Sequence, residues 1–122
     1  MIASSPELAN ALRKIVGHQH VLTENDLTTS YSVDWTGRFV GSTPIVVRPG
    51  NTDETASVVK LLNKNSVPLV PQGGNTGLVG GSIPMSGEVL LSLKRLNTVE
   101  PVDGLALQVT VGAGATLAET QE

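Results

Sequence analysis

Five glycines, at positions 73, 74, 77, 80 and 81, crowd the run Pro71-Gln-Gly-Gly-Asn-Thr-Gly-Leu-Val-Gly-Gly-Ser-Ile-Pro84, which lies between two apolar runs. Glycine admits positive φ and, lacking a Cβ, lets a ligand come close to the main chain. Successive exposed N–H groups in such a turn form a concave nest for an anion. The chemistry this points to is holding the phosphates of a cofactor. Two nucleotide templates fit poorly. A P-loop needs Gly-Lys-Ser/Thr, and no lysine follows any glycine of this run. A dinucleotide fingerprint needs Gly-x-Gly-x-x-Gly opening a helix near the start of the fold; here the glycines are paired and a strand pattern follows. A mobile surface loop is the bland alternative. The flanking prolines and the place of the run in the fold argue against it.

Few other side chains compete. His18 and His20 are two residues apart with no third ligand nearby, and are expected on the surface. Asp34 and Arg38 could orient a cofactor or a carboxylate, or could form a turn or ion pair. Trp35 is expected as a core anchor, since one aromatic needs partners to make a stacking site. Lys94 and Arg95 read as solvated charges at a strand end. Asp53 and Glu54 read as helix-cap carboxylates. No catalytic triad and no metal-ligating set can be argued, so no catalytic or metal residue is assigned.

The elements that would position the glycine run can be read around it. Ser5-Pro6 opens a helix with proline in its first turn, and Leu8, Leu12, Ile15 and Val16 share one face. Gly17 is a plausible stop. A polar stretch from His18 to Gly41 follows, in which Thr23 could cap a short helix. Ile45-Val46-Val47 is a strand. Asn51 or Thr52 caps a second helix with Glu54 at capping-box spacing, and Ala56, Val59 and Leu62 form its apolar stripe. Val67–Val70 is the next strand. Strand, helix and strand within 26 residues (45–70) make a βαβ unit with parallel strands. The glycine run therefore sits at the carboxyl edge of a parallel sheet, where open α/β folds place ligands. Val89–Leu93 is another strand. Thr98–Val102 and Leu105–Val111 alternate in polarity around Asp103-Gly104, a hairpin turn pair, so this half reads as antiparallel. Ala115–Glu122 starts a helix. The fold class is α+β: a parallel βαβ subdomain, then the start of an antiparallel subdomain.

Bulk properties bound the rest. The chain has 122 residues, about one domain, with 39% hydrophobic residues and a net charge of −3. One Trp, one Tyr and one Phe leave the core to aliphatic side chains. No basic patch points to nucleic acid. The absence of cysteine excludes disulfides and thiol chemistry. No apolar run approaches the roughly 20 residues that span a membrane, and Met1–Glu7 lacks the pattern of a secretory signal. A cytoplasmic location is expected.

The segment PQGGNTGLVGGSIP resembles the pyrophosphate loop of the FAD-linked oxidase superfamily, whose flavin domain is of the vanillyl-alcohol oxidase or PCMH type. It is most similar to the branch of D-2-hydroxyglutarate and D-lactate dehydrogenases and the glycolate oxidase flavin subunit. Asp34-Trp35 with Arg38 and Gly41, Ile45–Pro49 with Thr52-x-Glu54, Ser92–Asn97 and Val111–Gly114 agree in order, so the resemblance covers residues 30–122. It implies an FAD site at Gln72, Gly73, Gly74, Asn75, Thr76, Gly77, Gly81 and Ser82. Residues 73–77 would wrap the diphosphate through main-chain N–H groups, helped by the Asn75 and Thr76 side chains. Gly81 and Ser82 would contact the phosphates or the ribityl chain, and Gly112–Gly114 would lie near the cofactor. Some relatives carry a flavin-linked His where Asn75 stands; Asn cannot form that bond, so FAD is expected to be non-covalent. The implied parent reaction oxidises a small 2-hydroxy acid by hydride transfer to flavin.

The resemblance divides the chain into a helical lead-in, 1–41, and the first part of the FAD-binding domain, 42–122. The family's substrate domain and His-rich catalytic segment have no counterpart, so the chain is expected to be the front portion of a larger flavoenzyme, inactive alone. A homodimer formed over uncovered strand edges is a further expectation. The alternative reading is a stand-alone α/β binding module without catalysis.

Overall fold

A computed structural model describes residues 5–121. The expectations for Met1–Ser4 and for the terminal Glu122 lie outside the described residues. Helix α1 spans Ser5–Val16 and buries Leu8, Ala9, Leu12 and Val16 on one face. It stops where expected: Gly17 has φ +95° and donates its N–H to the Arg13 carbonyl. A 3-10 turn, His18–His20, leads into β1, Val21–Leu22, a strand the polar stretch 18–41 did not announce. Helix α2, Asn25–Tyr31, is the short helix expected there. Its N-cap is Glu24, with no side-chain cap bond, and not Thr23.

Strand β2, Val46–Val47, is followed by helix α3, Thr52–Lys64. Asn51 is the cap: its Oδ1 accepts from the Glu54 N–H at 2.8 Å, and Glu54 Oε1 accepts from the Gly50 N–H at 2.8 Å. Such a cap contributes about 1 kcal/mol. Strand β3 is Leu69–Gln72, two residues later than the expected 67–70, because Val67 is still occupied in closing α3 onto the Leu62 carbonyl. Strand β4 is Val89–Ser92.

The sheet order is β1-β2-β4-β3. β2 and β3 are both parallel to β4, which lies between them, and β1 is antiparallel to β2. The two strands of the expected βαβ unit are thus not neighbours. The inserted strand has three apolar residues followed by Ser92, and every residue of it is buried, as a central parallel strand requires. Val47, Val89 and Leu91 join Leu12 of α1 and Val58 and Leu62 of α3 in one cluster. Val46 and Leu90, paired in register, lie outside that cluster yet are fully buried, so both faces of the central strands are covered.

Beyond β4 the chain forms an extended ribbon. Val99 bridges Val111 and Asp103 bridges Gln108, both antiparallel. The turn is longer than the expected Asp103-Gly104 pair: it closes between Asp103 and Gln108, and Asp103 Oδ1 accepts from the N–H groups of Leu105 and Ala106 at 3.0 Å. A final helix, α4, spans Leu117–Gln121. No helix of the described residues is long and apolar enough to cross a membrane.

Candidate functional site

The glycine run leaves the carboxyl end of β3 and returns to the start of β4. It stands at the sheet edge expected of a ligand site. Its first half, Gly73–Gly77, is the part with the clearest chemical character. None of the five N–H groups of residues 73–77 donates a hydrogen bond among the described residues. Backbone donors are normally paired with protein or solvent, so these five consecutive donors stand open to solvent or to an anion.

The glycines of the run divide by cause. Gly80 has φ +74°, and a Cβ there would come within 2.7 Å of the Phe39 ring. Protein packing accounts for it. Gly77 and Gly81 have no positive φ, and a Cβ at either would meet no atom within 4 Å. At Gly74 the nearest atom to a Cβ would be Thr116 Cγ2 at 3.9 Å. No protein atom requires glycine at these positions, and the main chain there is open to the approach of an outside group such as a diphosphate. The residues present therefore fit an FAD diphosphate.

The polar side chains of the run mostly face inward. Gln72 is buried, and its Nε2 donates to the carbonyls of Tyr31 at 2.8 Å and Ser82 at 3.1 Å. Asn75 sits at φ +56°, a left-handed conformation that Asn tolerates better than most residues. Its Nδ2 donates to the Val33 carbonyl at 2.8 Å, and its Oδ1 accepts from Ser82 Oγ at 3.0 Å. Gln72, Asn75 and Ser82 thus lock the two halves of the run together and onto residues 31–33. Thr76, Gly77 and Gly81 are exposed. Of the eight sequence-derived residues, Gln72 ends β3 and the other seven lie in the loop that follows it.

The support comes from a segment that sequence reasoning undervalued. Trp35 is not a core anchor: it is 62% exposed, and its Nε1 donates to the Gly77 carbonyl at 3.1 Å. Asp34 is buried and organises a turn, accepting from Thr36 Oγ1 at 2.6 Å and the Phe39 N–H at 3.1 Å, with no ion pair to Arg38. The Thr36 hydroxyl, helped by main-chain donors, holds the Asp34 carboxyl below the usual carboxylate range, against the opposing effect of burial. A depressed native value stabilises the turn at pH above the ordinary carboxylate range, and this is lost as pH falls through the native value. Protection of the amides of residues 34–41 relative to their intrinsic exchange rates is therefore expected to fall on the acid side only, and Asp34→Asn is expected to remove that pH dependence.

Lys94 and Arg95 are not simply solvated. Arg95 donates to the Arg48 carbonyl at 2.8 Å and lies 3.8 Å from Glu54, tying the end of β4 to the cap of α3. The exposed Lys94 stands 5.5 Å from the Tyr31 ring centroid and lines, with Gly73, Gly74 and Asn75, a hollow of 280 Å³ at the loop. No local signal in the sequence marks Lys94, because its neighbours there are about 20 or more residues away. A larger hollow of 510 Å³ lies between the α3 cap and residues 95–113 and includes no residue of the glycine run. Of the histidines, His18 is exposed as expected. His20 is half-buried, and burial together with the nearby Arg95 and Arg48 lowers its pKa, with Glu54 opposing. Gly112 and Gly114 are explained by packing, since a Cβ at either would overlap the Leu96 or Leu93 carbonyl. Their turn still reaches the loop: a Cβ on Gly73 would lie 3.4 Å from the Ala113 carbonyl oxygen.

Comparison with known proteins agrees with this geometry. A family model described as an FAD binding domain matches residues 43–122. The mitochondrial D-2-hydroxyglutarate dehydrogenase of Danio rerio is 38% identical over 96 residues, covering 79% of this chain and 18% of that protein. The D-2-hydroxyglutarate dehydrogenase of Xanthomonas citri pv. viticola is 36% identical over 107 residues, covering 88% of this chain and 23% of that protein. Among solved structures, alkyldihydroxyacetonephosphate synthase superposes with a TM-score of 0.80 at 20% identity, covering 96% of this chain and 24% of the other. p-Cresol methylhydroxylase with substrate bound gives 0.81 at 22% identity, covering 95% and 23%. These two likenesses show the fold. The chain spans about a fifth of the length of the curated relatives it matches. The expected cytoplasmic location is corrected by the same findings, since the Danio rerio relative and that of Arabidopsis thaliana are mitochondrial.

Proposed function

The chain belongs to the FAD binding domain family and carries the PCMH-type fold, and on that premise we propose that Gln72, Gly73, Gly74, Asn75, Thr76, Gly77, Gly81 and Ser82 form the diphosphate site of a non-covalently held FAD. The observation that carries this reading is the row of five unpaired N–H groups at residues 73–77, beside glycines that the protein itself does not require. Residues 73–77 bind through the main chain. Gln72, Asn75 and Ser82 hold that main chain in shape. Thr76, exposed in the middle of the row, is free to donate its hydroxyl to a phosphate oxygen. Non-covalent attachment is supported by Asn75, which has no nucleophilic ring nitrogen, and by the absence of cysteine.

The proposed parent activity is oxidation of a D-2-hydroxy acid of the D-2-hydroxyglutarate, D-lactate or glycolate type to its 2-oxo acid. When bound, FAD supplies the two-electron acceptor that this oxidation needs. The residues of this chain position the cofactor and transfer no proton. The division at residues 41 and 42, a homodimer, and the lack of a nucleic-acid partner belong to the same proposal.

A titration with FAD, FMN and riboflavin tests it. Saturable binding is expected for FAD and much weaker binding for the other two, which lack the diphosphate. Denaturation is expected to release all the flavin. Equal affinity for the three would sink the diphosphate assignment, and colour retained on denatured protein would sink the non-covalent one.

A further inference from the structure

We propose that Trp35 is a positioning residue for the diphosphate loop: its indole N–H, bonded to the Gly77 carbonyl, holds residues 76–79 in the shape that presents their main chain to an anion. The inference rests on the FAD reading of that loop and names a residue outside it that the reading requires.

Trp35 is the protein's only tryptophan, and it is 62% exposed. A large aromatic left this open gains little from burial, so core packing does not account for its place. Its one polar atom reaches across 42 residues of sequence to Gly77. The receiving stretch has little else to hold it. Residues 73–79 make no main-chain hydrogen bond to other main-chain groups among the described residues, and Thr76 to Val79 are all exposed. Gln72, Asn75 and Ser82 pin the loop on one side of this stretch, and Phe39 packs under Gly80 on the other. Between these two anchors, the indole bond is the contact that fixes a peptide plane. The indole is itself held in place, because the adjacent Asp34 carboxylate closes the turn on the Phe39 N–H.

Two variants test this in the full chain. Trp35→Phe keeps a ring and loses the donor; Trp35→Ala loses both. Main-chain NMR order parameters of Gly77 to Gly80 are read first, without ligand, and FAD affinity second. Loss of one such hydrogen bond corresponds to roughly a 3- to 10-fold effect. The expected result for Trp35→Phe is lower order parameters at these residues and FAD affinity lower by that factor, with an unchanged thermal midpoint. In the wild type, bound flavin is expected to quench the Trp35 emission. Unchanged order parameters in both variants would overturn the proposal. So would lowered order parameters with undiminished FAD affinity, which would leave Trp35 a purely structural contact. Lowered order parameters in the variants, with no FAD binding by the wild type, would overturn the FAD reading instead and leave the loop-holding role of Trp35 standing.

Discussion

Gly74→Asp is expected to leave the protein folded and to abolish most of its affinity for FAD. The position is exposed, has an ordinary φ, and meets only Thr116 and Thr76 methyl groups near 4 Å from a Cβ. A side chain can therefore be added without strain. The new carboxylate would stand beside five free N–H donors and compete with any phosphate for them. Two like charges a few ångströms apart near a protein surface repel by about 2–4 kcal/mol, which is roughly a 30- to 1,000-fold loss of affinity. Calorimetric titration measures the loss, and a thermal midpoint within a degree or two of the wild type shows that the fold is kept. Undiminished FAD affinity in Gly74→Asp would mean the diphosphate binds elsewhere.

Gly114→Ala is expected to do the reverse: to damage the fold before it touches any ligand contact. A Cβ on Gly114 would overlap the Leu93 carbonyl, and main chain cannot give way as the end of a flexible side chain can. Gly114 also donates its N–H to the Leu96 carbonyl at 2.8 Å, so relieving the overlap breaks that bond. Overpacking of this kind costs about 3 kcal/mol, and for a chain of this size that lowers the thermal midpoint by roughly 10 °C. Gly104→Ala is the control. Its Cβ would meet nothing within 4 Å, so its midpoint is expected to stay close to the wild type. A Gly114→Ala protein as stable as the Gly104→Ala control would show that residues 112–114 do not pack against the end of β4 as described.

How legible these features are in the sequence depends on the range of the forces that produce them. The carboxyl end of α1 and the cap of α3 depend on contacts within four residues, and Gly17, Asn51 and Glu54 mark them correctly. The strand order depends on pairing across the whole chain. β2 and β3 look like neighbours because they flank a helix; the apolar run Val89-Leu90-Leu91, buried as fully as β2 and more than β3, is the sign of a strand that needs a neighbour on each side. The glycine run can be found because composition alone sets it apart. Its supports cannot. Gln72 reaches Tyr31, Asn75 reaches Val33 and Trp35 reaches Gly77 across 41 or 42 residues. Trp35 looks like a core residue because bulk favours burial, yet its indole N–H must also find an acceptor, and here the acceptor is at the surface. Arg95 misleads in a similar way, its partner being the carbonyl of Arg48, 47 residues away.

The glycine run has a second identity, as the link that joins β3 to its neighbour β4. Sixteen residues, 73–88, separate the ends of these two parallel strands. Parallel neighbours require a crossover of about a dozen residues or more, usually a helix; here irregular, glycine-rich chain does that work. Closing it costs about 2.5 kcal/mol in loop entropy by chain statistics, and glycine has more backbone freedom to lose than any other residue. That entropy must be given up before the central strand can dock, so the segment proposed to hold the diphosphate also bears on how readily the sheet assembles.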